Sequence, residues 1–569
     1  MARKFLLREI QELKALRRLS CSASLRRNEE FIWKSRLTDM VIPEGRFLDQ
    51  LWINYNKWDC NHVALTCAET KKTYTYKELR KNIDIFATSL RKKLGLQEKD
   101  VICLFLPNSP EFCLAALGIL RAGCIATTMN PIYKELEISH QVSITEPKVV
   151  ITVPECYENL KKGLANAKRQ TKIVILDRTD KPVPEGTIRF SEIAENGEVD
   201  TAVLDKVDVK KDDVAFIPFS SGTTGLPKGV EITHGNLIAS NEMMCQKEND
   251  FAYMADGSYQ DVVPCILPFF HIYGLMVTLF GHISKGCKLI TMSRFSPITY
   301  FDVLENEKPN LLYVVPPIVI LLGKHPDVKQ EYFKNLRHIV CGAAPLSSSD
   351  VNAVLEKSKT NLEFNQGFGA TETSSLATST FVGTKVLDYS ACGEPMANVQ
   401  LKFIDPVTGH DLPLGEQGEL LVKSPTVMKG YHKNETATQE CMTEDGFFKT
   451  GDLGYYKPGQ GLFVTDRIKE LIKVKGMQVA PAELESLLRS HPAVQDAAVI
   501  GVPHPFYGEV PKAFIIKKNG LNTSPEEIQN YVADQVAPFK KIDEVIFVND
   551  IPKTNTGKIL RKDLKKIYA

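Results

Sequence analysis

The chain lacks most of the signatures that would place it quickly. It carries almost no charge imbalance, with 70 Lys and Arg against 69 Asp and Glu in 569 residues, which argues against a dedicated nucleic-acid binder. Its 13 cysteines contain no Cys-x-x-Cys pair and no zinc-like spacing. That scattered, odd-numbered set suits free thiols in a reducing compartment rather than a disulfide framework. No apolar run is long enough to cross a bilayer, Cys113-Leu-Ala-Ala-Leu-Gly-Ile-Leu120 being too short. No Gly-x-x-x-x-Gly-Lys-Ser/Thr spacing occurs, so a Walker A loop is excluded. With 43% hydrophobic and 8% aromatic residues the composition is ordinary for a globular protein. The length exceeds one core and implies two or more domains.

What is present starts with Ser220-Ser-Gly-Thr-Thr-Gly-Leu-Pro-Lys-Gly229, which follows the apolar run Val214-Ala-Phe-Ile-Pro-Phe219. The run reads as a buried strand. Gly222 and Gly225 let backbone amides approach a phosphate, while Ser220, Ser221, Thr223, Thr224 and Lys228 add donors and a positive charge. A nucleotide is the expected ligand.

From about residue 45 to 215 helical and strand patterns alternate, as in Tyr76 to Leu94, Val101 to Leu106, Glu111 to Ala122, Lys148 to Thr152 and Lys172 to Leu176. Such alternation implies a largely parallel sheet covered on both faces. Further on, several segments pair glycines with polar groups. Leu267-Pro-Phe-Phe-His-Ile-Tyr-Gly274 sets a His and a Tyr in an apolar turn, and a packed histidine is the commoner reading of such a site. His338-Ile-Val-Cys-Gly-Ala-Ala-Pro-Leu346 and Asn365-Gln-Gly-Phe-Gly-Ala-Thr-Glu-Thr373 run from strands into small-residue turns. Glu372 has the chemistry for magnesium, and equally for a helix cap or a lysine partner. Asp452, in Lys449-Thr-Gly-Asp-Leu-Gly454 at the end of a β-rich patch, suits a pair of ribose hydroxyls or a plain turn. The last hundred residues read as a small α/β unit, with Ser524-Pro-Glu-Glu527 opening a helix. Lys558 follows a Thr/Asn/Thr/Gly loop near the end.

The first 27 residues stand apart. Arg3, Lys4, Arg8, Lys14, Arg17, Arg18, Arg26 and Arg27 are interleaved with Leu6, Ile10, Leu13 and Leu16 at helical spacing. That is the composition of a mitochondrial presequence. Glu9 and Glu12 weigh against it, and a cytoplasmic location is the alternative. The terminal Lys566-Ile-Tyr-Ala569 is not a peroxisomal Ser-Lys-Leu.

Taken in order, the Ser/Thr/Gly loop, Gly-Phe-Gly-Ala-Thr-Glu, Thr-Gly-Asp, Asp466-Arg-Ile-Lys-Glu470 and Asn555-Thr-Gly-Lys558 resemble the adenylate-forming superfamily of acyl-CoA synthetases, adenylation domains and beetle luciferases. The likeness extends from about residue 45 to the C-terminus. Phe270-His-Ile-Tyr273 and Lys473-Val-Lys-Gly-Met-Gln478 are most similar to its 4-coumarate–CoA ligase-like branch.

The resemblance implies an α/β fold: a large N-terminal domain (45–466) of sheets covered by helices plus a β-rich patch, a hinge (467–470) and a small mobile α/β domain (471–569). It implies ATP, magnesium and coenzyme A as cofactor and cosubstrates, with no nucleic-acid partner. Ser220 to Gly225 and Lys228 would wrap the β- and γ-phosphates, Thr371 would touch the α-phosphate and Glu372 would hold magnesium. Asp452 and Arg467 would bind the ribose, while Gln366, Gly367 and Ala343 would line the adenine and acyl-adenylate site. Lys558 would bridge acyl carboxylate and phosphate, and His271 would gate the carboxylate site. Rotation about Lys469 would replace Lys558 by the Lys473 to Gln478 segment, with Arg294, Lys475 and Gly476 on the coenzyme A path. Tyr273, Gly274, Ala343, Gly367 and the Ala377 region would form the acyl pocket.

Two departures stand out. Phe368 replaces the tyrosine usual in the family, and Arg294 stands where many relatives have lysine. The expected activity is acid activation through an acyl-adenylate and thioester formation with coenzyme A. The acid is expected to be a medium- or long-chain fatty acid, or else an aryl or phenylpropanoid acid such as 4-coumarate. Luciferase-like oxidation or loading of a carrier protein would use the same adenylate. A silent binding protein on this fold is disfavoured by the presence of Glu372, Asp452 and Lys558.

Overall fold

The computed structural model describes residues 31–177, 182–220, 227–344, 346–474, 477–554 and 557–568. The basic segment 1–27, loop residues Ser221 to Gly225, and Lys475 and Gly476 lie outside the described residues.

Short runs of valine and isoleucine become strands where both faces can be covered. Val214–Ile217, Ile125–Thr128, Val101–Phe105, Val149–Thr152, Lys172–Ile175 and Ile188–Arg189 form a parallel sheet in that order. Lys228–Thr233 adds antiparallel to Val214–Ile217 and forms a hairpin with Phe219–Ser220. Ser220 and Lys228, the residues on either side of the phosphate-loop segment, are thus paired at one end of this sheet. Helices follow the expected capping chemistry. Ser109 accepts from Phe112 N–H ahead of Pro110–Arg121, and Thr75 and Glu78 form a reciprocal box ahead of Tyr76–Lys92.

A second sheet joins Val262–Cys265, Lys288–Thr291, Val63–Cys67 and Thr73–Thr75. A third runs Leu311–Val314, His338–Cys341, Glu363–Ala370, Ser375–Ser379 and Glu394–Pro395, parallel through its first three strands and antiparallel after them. The β-rich patch is an antiparallel sheet of Ile32–Lys34, Gln400–Ile404, Gly418–Lys423, Phe448–Lys457 and Gly461–Arg467. Asp452 lies inside the strand Phe448–Lys457, not at the end of the patch. Its flanking glycines continue the strand, because a Cβ on Gly454 would sit 2.4 Å from Phe463 O of the neighbouring strand. The C-terminal sheet is built on the long hairpin Val494–His504 and Gly508–Lys517.

The buried apolar residues divide in the same way. The largest cluster runs from Phe47 to Leu462, and two smaller ones lie wholly within residues 472–564. Residues 467–470 fall between these cores. Leu453, Leu471 and Ala480 form a small apolar contact across the junction. No helix among the described residues is long and apolar enough to cross a membrane.

Candidate active site

The site is a cleft of about 420 Å³ whose walls come from the first and third sheets, the β-rich patch and the C-terminal unit. At one end, the strand Glu363–Ala370 runs into a tight turn at Thr371–Thr373 that holds Glu372, 7% exposed. Glu372 Oε1 accepts from Ser220 Oγ at 2.5 Å and from the Tyr431 hydroxyl at 3.0 Å. Gly430–Tyr431 pairs with Lys228–Thr233, which brings the tyrosine there, and Lys228 Nζ lies 4.8 Å above its ring. The Ser220 and Tyr431 hydroxyls therefore meet on one buried carboxylate, with the Lys228 ammonium over the tyrosine ring.

Across the cleft, Asp452 and Arg467 are direct partners in adjacent antiparallel strands, with Nε to Oδ1 at 3.1 Å. Burial raises the Asp452 carboxyl, and the Arg467 and Lys558 charges oppose that shift. Lys558 reaches the same place from the C-terminal unit, its N–H donating to Thr554 Oγ1 at 3.1 Å. Burial lowers the Lys558 ammonium to about 8, with Arg467 and Lys469 adding to the effect and Glu470 and Asp452 resisting it. His271 faces Lys558 from the far wall, and burial followed by the Lys558 charge holds its imidazole at about 4. It is neutral at pH 7. Its Nδ1 takes the Tyr273 N–H at 3.2 Å, which leaves the ring proton on Nε2.

Beyond His271 the chain enters a wide helical turn, Tyr273–Phe280. Such turns recur at functional sites. Gly274 permits it, because a Cβ there would lie 2.2 Å from Pro268 O. The Tyr273 ring faces Gly342, and its hydroxyl donates to Val340 O at 3.2 Å. Ala343, the next residue on this wall, holds a left-handed conformation with φ of +74°. That is costly for a residue with a Cβ and recurs in ligand clamps.

A second cavity on the other side of Gly367 and Ala343 lies between the large domain and the C-terminal unit. Gln366 lines it, 5% exposed, and its Nε2 finds no partner among the described residues. Here Arg561 is clasped by Glu470 of the junction, by Glu485 at 2.6 Å and by Val499 O at 3.1 Å. Asp466 accepts from Ala482 N–H at 2.8 Å, so the large domain caps the first turn of Pro481–Ser490.

The sequence model of the AMP-binding enzyme family matches residues 54–432, and that of the AMP-binding enzyme C-terminal domain matches residues 483–558. The chain belongs to the AMP-binding enzyme family. It is 36% identical over 543 residues to 4-coumarate–CoA ligase 2 of Nicotiana tabacum, covering 95% of this chain and 98% of that one. Its fold is similar to ATP-bound MatB from Rhodopseudomonas palustris, with a TM-score of 0.81, 27% identity and coverage of 92% and 99%. A benzoate CoA ligase from Burkholderia xenovorans LB400 superposes with a TM-score of 0.80 at 25% identity, covering 91% and 99%.

Among the residues singled out from sequence, Ser220, Lys228, Gly367, Thr371, Glu372, Asp452, Arg467, His271, Tyr273, Ala343 and Lys558 meet around the cleft of this AMP-binding enzyme. Gln366 lines the second cavity, with Gly367 and Ala343, and not the main cleft. Lys469 lies close enough to Lys558 to lower its ammonium. Two expected positions stand elsewhere. Lys473 is exposed on the hairpin Ile472–Val474/Met477–Val479, in register with Gln478, and Arg294 is exposed after the strand Lys288–Thr291. Neither lysine nor arginine lines either cavity in this arrangement, because the C-terminal unit presents its Lys558 edge to the cleft. In the acyl pocket, Ala377 is fully buried in its strand and its neighbour Leu376 faces the cleft instead, since alternate residues of a strand point opposite ways. Sequence reasoning missed Tyr431, Asp466 and Arg561, which are common polar residues whose partners lie far away in the chain.

Proposed function

We propose that this protein is an AMP-forming acid–thiol ligase. It activates a carboxylic acid with ATP as an acyl-adenylate, then transfers the acyl group to coenzyme A to give acyl-CoA, AMP and pyrophosphate. The observation that carries this reading is the meeting of Lys558 and His271 with the Asp452–Arg467 pair and Glu372 around one cleft. Relatives named as 4-coumarate–CoA ligases and a benzoate CoA ligase neighbour support the class.

In the first half-reaction a carboxylate oxygen attacks the α-phosphorus of ATP, the bond to the bridging oxygen breaks and pyrophosphate leaves. No side-chain nucleophile is needed, so the residues position the reactants and offset charge. His271 Nε2–H orients the carboxylate. Lys558 offsets the negative charge shared by carboxylate and α-phosphate as the pentavalent state forms. Asp452 Oδ2, left open by Arg467 on Oδ1, accepts the ribose hydroxyls, and Arg467 holds Asp452 in place. Ser220, Lys228 and Thr371 line the phosphate path.

Glu372 fits a magnesium ion. It is a buried carboxylate without a cationic partner among the described residues, and one oxygen already accepts from two hydroxyls. One protein carboxylate with substrate phosphates is the usual way this cation is held, and when bound it would offset phosphate charge.

In the second half-reaction the coenzyme A thiol attacks the acyl carbon and AMP leaves. This step calls for a different arrangement of the C-terminal unit, turning about Lys469 and delivering Lys473, Lys475, Gly476 and Gln478, with Arg294 along the coenzyme A path. The exposure of Lys473 here supports that reading.

A two-step assay with ATP and magnesium tests it. Fatty and aromatic acids are supplied with and without coenzyme A while pyrophosphate, AMP and thioester are followed. Thioester from one class of acid is expected. Pyrophosphate release that never yields thioester would reject coenzyme A as acceptor and point to oxygen or a carrier protein.

A further inference from the structure

Past the acyl side of the cleft lies a third, smaller chamber that the reaction above leaves unused. Its apolar walls come from Met244, Val277, Val340, Leu376 and Met396. Leu376 lines both spaces and is the only described residue to do so. Val277, Gly281 and His282 succeed Tyr273 along the same helical segment and Lys285 lies in the turn that follows it, all four lining the chamber. Rising at no more than about 1.5 Å per residue, the segment puts His282 at the far end at most roughly 13 Å beyond Tyr273.

The far end is polar, and most of its groups are already matched. His282 pairs through Nδ1 with Thr278 O at 3.0 Å and through Nε2 with the Tyr313 hydroxyl at 3.1 Å. Lys285, 6% exposed, is neutralised by Asp250. Asn249 is the exception. It is 4% exposed and its Nδ2 donates to Met243 O at 3.3 Å, yet its Oδ1 has no partner among the described residues. A buried carbonyl left so costs about 1–3 kcal/mol. The chamber measures about 20 Å³, room for one water-sized group. A group that satisfied this oxygen would be a small hydrogen-bond donor. A terminal carboxylate would place its lone pairs against the Asn249 oxygen. A terminal ammonium would sit beside Lys285. A hydroxyl meets neither objection.

Building on the acid–CoA ligase reading, we propose that the acyl tunnel continues past Leu376 into this chamber, where Asn249 Oδ1 accepts a hydrogen bond from the terminal hydroxyl of a medium-chain ω-hydroxy acid. Leu376 then acts as the door between the cleft and the chamber, and Asn249 selects the far end of the substrate. The Tyr273 hydroxyl, spent on Val340 O, plays no part in that selection.

The test uses the full chain with ATP, magnesium and coenzyme A. Octanoic and decanoic acids are compared with their ω-hydroxy counterparts and with 4-hydroxycinnamic acid, by kcat/KM for thioester formation. An ω-hydroxy acid is expected to exceed its plain counterpart by roughly tenfold, the worth of one buried hydrogen bond. Asn249→Leu should abolish or invert that ratio while leaving the plain acid as good a substrate or better, and Leu376→Ala should raise both. Equal values for hydroxylated and plain acids, an unchanged ratio in Asn249→Leu, or a preference for 4-hydroxycinnamic acid over every aliphatic acid would each overturn the proposal. If Asn249→Leu does not fold, the wild-type ratio alone decides. If no acid yields pyrophosphate, the ligase reading fails instead. Titration calorimetry of decanoic against ω-hydroxydecanoic acid then still decides the chamber.

Discussion

At the scale of single residues, the chemistry turns on groups whose neighbours alter their charge. Lys558 sits at about 8, so its ammonium is present below that pH and lost above it. Its role in offsetting charge requires the protonated form. The kcat/KM for pyrophosphate release should accordingly fall as pH rises through about 8. Lys558→Arg, which stays charged, should remove that falling limb even where its overall rate is lower. Lys558→Ala should cost adenylation roughly a hundredfold or more. It should spare thioester formation from a supplied adenylate, and equal loss of both half-reactions would reject the division of labour. Asp452→Ala removes the ribose acceptor, so the KM for ATP should rise roughly tenfold to a hundredfold, as for a hydrogen bond to a charged group. An unchanged KM would remove Asp452 from the nucleotide site.

At the scale of elements, two features depend on close backbone approach. The wide turn Tyr273–Phe280 needs Gly274, because Cβ would meet both O and C of Pro268, at 2.2 and 2.6 Å. Gly274→Ala should lower the thermal unfolding midpoint by an amount matching about 1–3 kcal/mol, as for other overpacked sites. A variant as stable as the parent would show that the turn can relax. The helix Pro481–Ser490 has no side-chain cap of its own, and Asp466 of the preceding domain supplies the acceptor for its Ala482 N–H. Losing such a cap costs about 1 kcal/mol. Because this bond crosses the junction, Asp466→Ala should weaken adenylation several-fold while thioester formation from a supplied adenylate is kept. Helices with local caps, such as Pro525–Ala533 with Ser524, were legible in sequence for the converse reason, since donor and acceptor lie within four residues.

For the whole molecule, buried histidines contribute to the acid response, His338 among them with its imidazole lowered by burial. His234, His271 and His282 are each held at about 4, chiefly by burial. The folded state therefore refuses protons that the unfolded chain takes up near 6.5. Their contribution is intact above that value and lost as pH falls towards about 4. The unfolding midpoint should drop across that window. His234→Asn, which keeps an acceptor for the Phe47 N–H, should flatten the slope, and a slope unaltered by it would assign the acid response elsewhere.

The parallel sheet, the positions of the phosphate loop and of Glu372, and the likeness to adenylate-forming enzymes were readable from the chain alone. Each depends on residues close in sequence: valine and isoleucine runs, glycines beside hydroxyls, short motifs in fixed order. Tertiary structure decided what depends on distant partners. Ser220 and Tyr431 meet Glu372 across 152 and 59 residues, and Lys558 enters the cleft only because the C-terminal unit turns that edge inward. The same holds for the residues that stand away from the cleft, Lys473 and Arg294, whose exposure follows from domain placement rather than from local pattern. The unmatched oxygen of Asn249 belongs with them. A hydrogen bond that is missing is a property of packing, and no spacing of residues along a chain can announce it.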